Sequence, residues 1–134
     1  MNPLIPSEYH DLLADDNRAF AFLATIMPDG APQVTPVWFN TQDEYILVNS
    51  ALGRVKDRNM RARPKVALTI MHPKNPYRYL EIRGTVVHVA EEGARQHIDA
   101  LAKKYTGQDT YTFGPPDEVR VTYKILPERV HGMG

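Results

Sequence analysis

The densest chemistry in the chain lies between Arg54 and Lys65, where Arg54, Lys56, Arg58, Arg61, Arg63 and Lys65 face only Asp57, six cations against one anion in twelve residues. Such a cluster fits an anion site. Arg54 offers a bidentate fork and Lys56 a point charge, and the amides at a helix start add donors suited to a phosphate. The same run also reads as a solvated helix face carrying surface ion pairs. What favours the anion site is position. The run follows directly on an apolar stretch ending in Asn49-Ser50, so a phosphate held there would let a planar ring lie along strand backbone. Asn49 and Ser50 suit hydrogen bonds to such a ligand and equally suit a turn or helix cap.

Other chemistries lack their residues. His10, His72, His88, His97 and His131 show no metal-ligand spacing, and Ser7 and Ser50, the only serines, sit in no nucleophile elbow. There is no cysteine, which excludes thiolate catalysis, disulfides and cysteine-ligated metals. No dinucleotide fingerprint or P-loop occurs. Tyr77, Tyr79 and Arg83 share one face of a strand and suit either an aromatic ligand or a subunit contact. Trp38 is expected to bury its ring in the core or at a subunit contact.

These residues need a scaffold, and the pattern is mostly β. Ser7 is placed to cap a short helix ending at Asp15–Asn17. The run 19–27 reads as a strand buried on both faces, closed by the turn Pro28-Asp29-Gly30. A second strand covers 33–39, with an edge or bulge expected at Pro36, and a third covers 45–49, giving a three-stranded meander. Residues 50–63 read as a turn and short helix, followed by a strand at 65–71. A long strand at 77–89 carries Gly84, where a bend is expected. A helix spans roughly 91–105 because Ala94, Ile98, Leu101, Ala102 and Tyr105 form one stripe, and a closing strand covers 119–125. Six strands with helices outside predict a mainly β, α+β fold: a six-stranded antiparallel split barrel, one domain over 1–134.

Composition narrows the partners. Lys+Arg and Asp+Glu both number 16, so no overall field draws the molecule to nucleic acid or an anionic membrane. The N-terminus carries acids and lacks the apolar run of a signal peptide or anchor, so a cytoplasmic location is expected.

Three stretches, AFLATIMPDGAPQVTPVWF, YILVNSALGRVKDRNMRARPKVALTI and YRYLEIRGTVV, together resemble the pyridoxamine 5′-phosphate oxidase-like superfamily, the flavin and deazaflavin oxidoreductases with the FMN-binding split barrel. The resemblance covers about residues 20–87 and is closest to the short members that use coenzyme F-420. It implies a homodimer with the cofactor at the subunit interface. By the same resemblance, Ser50, Arg54, Lys56 and Asn59 would bind the cofactor phosphate, and Gln33, Thr35, Pro36, Val37, Val48 and Asn49 would line the ring. Tyr77 and Tyr79 would come from the second subunit. The implied activity is reduction of a small planar organic substrate by hydride transfer, with no catalytic side chain required because the cofactor carries the hydride. FMN is the alternative cofactor, and a non-catalytic flavin or haem-type binder the alternative function. The chain lacks the longer C-terminal extension of pyridoxamine phosphate oxidases, so vitamin B6 oxidation is not the expected reaction.

Overall fold

A computed structural model describes residues 1–134. Its centre is one antiparallel sheet of seven strands: β1 (Ala21–Ile26), β2 (Pro32–Val37), β3 (Phe39–Gln42), β4 (Tyr45–Ala51), β5 (Lys65–His72), β6 (Asn75–Ala90) and β7 (Arg120–Met133), in spatial order β2-β1-β5-β6-β7-β4-β3. Three helices accompany it: α1 (His10–Leu13), α2 (Val55–Ala62) and α3 (Ala94–Thr106).

The sheet is curled, and one residue shows why. β2 and β3 lie at opposite edges of the strand order, yet only Trp38 separates them. Two peptide steps span at most about 7.6 Å, so the two edges must converge into a barrel whose seam is not hydrogen-bonded. Tyr105 of α3 spans this seam, donating its hydroxyl to the Ala19 carbonyl at 2.6 Å and accepting from the Phe39 amide at 3.3 Å.

Seven strands replace the expected six because the predicted strand 33–39 breaks at Trp38. The tight turn at Asp43, whose φ is 55°, lets residues 39–42 fold back on β4, with Gln42 opposite Tyr45. The predicted meander therefore does not form, and β4 pairs with β3 and β7 instead of following β2. β2 is an edge strand, which accommodates Pro32 and Pro36 without breaking a ladder. At Gly84 the β6–β7 register shifts, and a Cβ there would fall on the Leu126 carbonyl, so the strands cross where only glycine fits. Ser7 makes no capping hydrogen bond; Pro6 holds that position.

The barrel interior is filled by Leu23, Phe39, Ile46, Leu68, Ile70, Leu80, Ile82, Tyr123 and Ile125, all essentially inaccessible. The outward face is unusual. Phe22 and Ala24 stand opposite Pro36 and Val34, and Ala24 also stands opposite Ala67. Val34 is 63% exposed and Phe22 36%, so the strand expected to be buried on both faces leaves one of them open.

Candidate functional site

Where the seam opens, β2, α2, α3 and the segment 107–119 enclose a pocket of about 350 Å³. Its walls are apolar and aromatic: Phe20, Pro36, Trp38, Tyr111 and Phe113. Trp38 is half-buried and stacks on Tyr105 at 5.2 Å with the rings 10° apart. Tyr111 and Phe113 meet it edge-on at 5.9 and 6.1 Å. Val37, Asn49, Lys56, Ile98, Leu101 and Arg120 complete the lining.

Lys56 projects from the first turn of α2. It is half-buried, makes no ion pair and donates to no protein acceptor. Burial lowers its pKa, and the neighbouring Arg54 and Arg120 lower it further. A partly desolvated ammonium pressed by two more cations favours an anion there. Arg54, the residue before α2, is about half exposed and pairs with Glu118 at 3.2 Å. Arg120 is almost fully buried, with its guanidinium 4.9 Å from the Tyr111 ring and paired with Glu118 at 2.5 Å. Arg54 and Arg120 thus share one carboxylate, and Lys56 has none.

Behind the pocket, Asn49 is fixed on all sides. Its carbonyl accepts from Arg120 Nε at 2.9 Å, and its amide donates to the Ala94 carbonyl at 3.0 Å and reaches His97 Nδ1 at 3.1 Å. His97 Nε2 lies 2.9 Å from Asn40 Oδ1. With an acceptor at Nε2 and a donor at Nδ1, the imidazole is neutral and carries its proton on Nε2. Burial, and then the Arg120 charge, push its pKa from 6.5 down to about 4. Between those values the unfolded chain holds a proton that the folded chain does not. Stability therefore falls as pH drops from about 6.5 to about 4, by up to about 3 kcal/mol. Urea unfolding at pH 7 and pH 4.5 checks this, and His97→Gln is expected to flatten the dependence.

The expected site residues divide into three groups. Pro36, Val37, Asn49 and Lys56 meet in the pocket, with Arg54 at its rim. Gln33, Thr35, Val48, Ser50 and Asn59 instead turn inward. Gln33 accepts from Thr25 at 3.2 Å, and Val48 belongs to the core. Asn59 donates to Thr25 at 3.0 Å and accepts from Arg63 at 3.2 Å, so its amide supports α2 rather than facing the pocket. The Thr35 and Ser50 hydroxyls are buried without a hydrogen-bond partner. Tyr77 and Tyr79 lie on β6, outside the pocket of this chain, and Tyr77 is 78% exposed.

The basic run is not one anion groove. Arg61 pairs with Asp57, Arg63 donates to the Ile26 carbonyl, Arg58 to the Gly53 carbonyl, and Lys65 pairs with Glu128. Glu118, Arg120, Tyr111, Phe113 and Phe20 were not anticipated. Apart from Phe20, their only sequence signal is a cluster of aromatic and charged residues around 111–120, which gains meaning once Trp38 is known to face it. A larger cleft of about 410 Å³ lies on the outward sheet face, but its cations Lys65 and Arg83 are paired with Glu128 and Glu81. Unlike that cleft, the aromatic pocket presents an unpaired cation, Lys56.

Comparison with known proteins agrees with this geometry. A family profile described as pyridoxamine 5′-phosphate oxidase matches residues 5–134. A pyridoxine/pyridoxamine 5′-phosphate oxidase from Rhodopseudomonas palustris is 41% identical over 91 residues, covering 67% of this chain and 42% of that protein. The chain thus spans less than half the length of the curated relatives it matches. Among solved structures, an F420 reductase superposes with a TM-score of 0.81 at 33% identity, covering 95% of this chain and 98% of the other. A FAD-binding protein from Mesorhizobium loti shares the fold, with a TM-score of 0.69 at 24% identity over 96% of this chain and 94% of the other.

Proposed function

The chain belongs to the pyridoxamine 5′-phosphate oxidase family, and on that premise we propose that its aromatic pocket binds a phosphate-bearing flavin-type cofactor. Coenzyme F-420 is the first choice and FMN the second. The observation that carries this reading is Lys56, a half-buried ammonium with no protein partner beside two arginines. Its surroundings suit a phosphate in charge and a ring in shape. The 33% identity to an F420 reductase over nearly the whole of both chains supports F-420 before FMN. Against it, Arg61 and Arg63, which would have extended the basic groove for an anionic cofactor tail, are engaged within the protein.

The bound cofactor would supply hydride transfer to a small planar organic substrate. The chain's own residues bind and orient: Lys56 and Arg54 hold the anionic group, Pro36 and Val37 flank the ring, and Trp38, Tyr111 and Phe113 exclude water. The Ser50 hydroxyl near the end of β4, buried and unpartnered, does not line the pocket.

A pocket of about 350 Å³ is at the small end for a cofactor site, and its apolar wall at Phe20 and Pro36 runs into the open sheet face at Phe22 and Val34. A second copy of the chain covering that face would bury the patch and complete the pocket, with Tyr77 and Tyr79 as its contribution. Val34→Asp is accordingly expected to give monomers by light scattering and to weaken cofactor binding at least tenfold. Unchanged assembly would move the interface elsewhere. No helix is long and apolar enough to cross a membrane, and this reading expects a cytoplasmic enzyme.

Titration of the purified protein with F-420 and with FMN tests the function. Micromolar F-420 binding with turnover of a planar acceptor is expected. FMN binding alone would make FMN the cofactor, binding without turnover would make the protein a carrier, and failure to bind either would overturn the reading.

A further inference from the structure

One carboxylate beside the pocket, held on its Arg120, is misplaced for a site that takes anions. Glu118 Oε2 lies 3.2 Å from Arg54 and Glu118 Oε1 2.5 Å from Arg120, and the side chain is only 12% exposed. It therefore takes up donors on two arginines from different parts of the fold, the arrangement in which guanidinium groups grip two oxygens of a phosphate. Lys56, in the same pocket, has no carboxylate of its own.

The segment that carries Glu118 has the features of a movable strap. Between Gly107, whose φ is 80°, and Arg120 there is no helix or strand. Its polar ties to the body include the Tyr111 amide to Asp99 at 2.9 Å, the Val119 carbonyl to the Leu52 amide at 2.8 Å, and the Glu118 ion pairs. Tyr111 and Phe113, on the same segment, close the pocket over Trp38. The arginine contacts and the aromatic cover are therefore held by one piece of chain.

We propose that Glu118 is an internal counter-anion occupying the arginine donors of the ligand-free pocket, and that a ligand's phosphate must displace it, opening the 107–119 strap. The inference rests on the reading that the pocket takes a phosphate-bearing ligand. It makes Glu118 a specificity-determining residue, because a weakly charged group can sit on Lys56 alone while only a strongly charged one competes for the arginines. The cost of dislodging a carboxylate from two arginines is subtracted from the affinity of every such ligand.

Two substitutions dislodge Glu118 by different means. Glu118→Gln removes its charge. Gly114→Ala keeps the charge, but a Cβ there would fall on the Glu118 carboxylate and press on the Tyr111 ring at 3.2 Å, and Gly114 has no positive φ that would itself strain alanine. Trp38 is the only tryptophan, so its fluorescence reports whether Tyr111 and Phe113 remain against it. The test is a titration of wild type, E118Q and G114A with inorganic phosphate, followed by Trp38 emission, and a parallel titration with FMN and F-420.

Both variants are expected to bind phosphate about tenfold more tightly than wild type. Their ligand-free emission should already resemble that of phosphate-saturated wild type. Equal or weaker binding in both variants, or no phosphate binding in any of the three proteins, overturns the proposal. If the variants bind phosphate more tightly while neither cofactor binds, the cofactor assignment falls and the counter-anion stands. If cofactor binds wild type but no more tightly to either variant, the counter-anion falls and the cofactor assignment stands.

Discussion

Lys56→Met is expected to weaken cofactor binding about 100-fold, close to 2.7 kcal/mol, without loss of fold. The direction follows from what Lys56 does in the free protein. It has no carboxylate to stabilise it, and burial together with Arg54 and Arg120 disfavours its charge. Removing that charge relieves a local repulsion, so the melting temperature should hold or rise while affinity falls, the trade expected where a site stores unfavourable charge for use in binding. Arg54→Met should cost less, about tenfold, because Arg54 is half exposed and shares Glu118. Isothermal titration at low and moderate salt separates the two, since losing a phosphate contact also flattens the salt dependence. A Lys56→Met protein that binds cofactor as wild type does would remove the central support for the assignment.

The fold was legible where side-chain period alone decides it. Alternation in the first half of β7 and the α3 stripe of Ala94, Ile98, Leu101 and Ala102 appear in the structure as read, because one face of each is buried. The bend at Gly84 was legible too, since a strand interior rarely tolerates glycine without a reason. The path of the chain at Trp38 was not. Residues 33–39 read as one strand, and the break within them depends on which edge each half joins, a contact between residues far apart in sequence. The exposed Phe20 and Phe22 misled for a related reason. An apolar residue reads the same whether it faces a core or a surface awaiting another molecule.

For the site, the sequence located the cations but not their assignments. Arg54 to Lys65 looked uniform, yet Arg61 neutralises Asp57, Arg63 ties α2 to β1, and Lys65 pairs across to Glu128. Only Lys56 is left without a partner. Asn59 shows the same limit: the family resemblance marks it as a phosphate ligand, whereas here its amide bridges Thr25 and Arg63, the work of a residue that positions α2. Glu118 and Arg120 went unnoticed because they meet Arg54 and Lys56 only after the chain has circled the barrel. Partnering of charges is a property of the fold, and a linear run of charges does not reveal it.

Asp57→Ala is expected to destabilise the protein by about 3–5 kcal/mol, the second large effect. Asp57 is 2% exposed at its side chain and serves α2 from below. One oxygen accepts from the Gly53 amide at 2.9 Å, and the other accepts from Arg61 Nε at 2.9 Å and from the Tyr123 hydroxyl. Burial by itself raises the Asp57 carboxyl, but these three donors outweigh it and hold the group below the usual carboxylate range. Burial and then Asp57 push the Tyr123 hydroxyl up, so it stays protonated and donating. The stability from this cluster is therefore present above the unfolded carboxyl value of 3.8 and is lost as pH falls through the lower folded value. Truncation to alanine leaves the buried Tyr123 hydroxyl without its acceptor, an uncompensated polar group, and frees the exposed Gly53 amide to solvent. Tyr123→Phe keeps the two remaining donors on Asp57 and should cost only about 1–2 kcal/mol. Denaturant unfolding of the two variants should reproduce that ordering. Because Asp57 fixes the turn that carries Arg54 and Lys56, the folded fraction of Asp57→Ala should also bind cofactor less tightly, whereas Tyr123→Phe should bind nearly as wild type. Equal stability of the two variants would mean that the cluster contributes through Tyr123 alone and that α2 is positioned by other contacts.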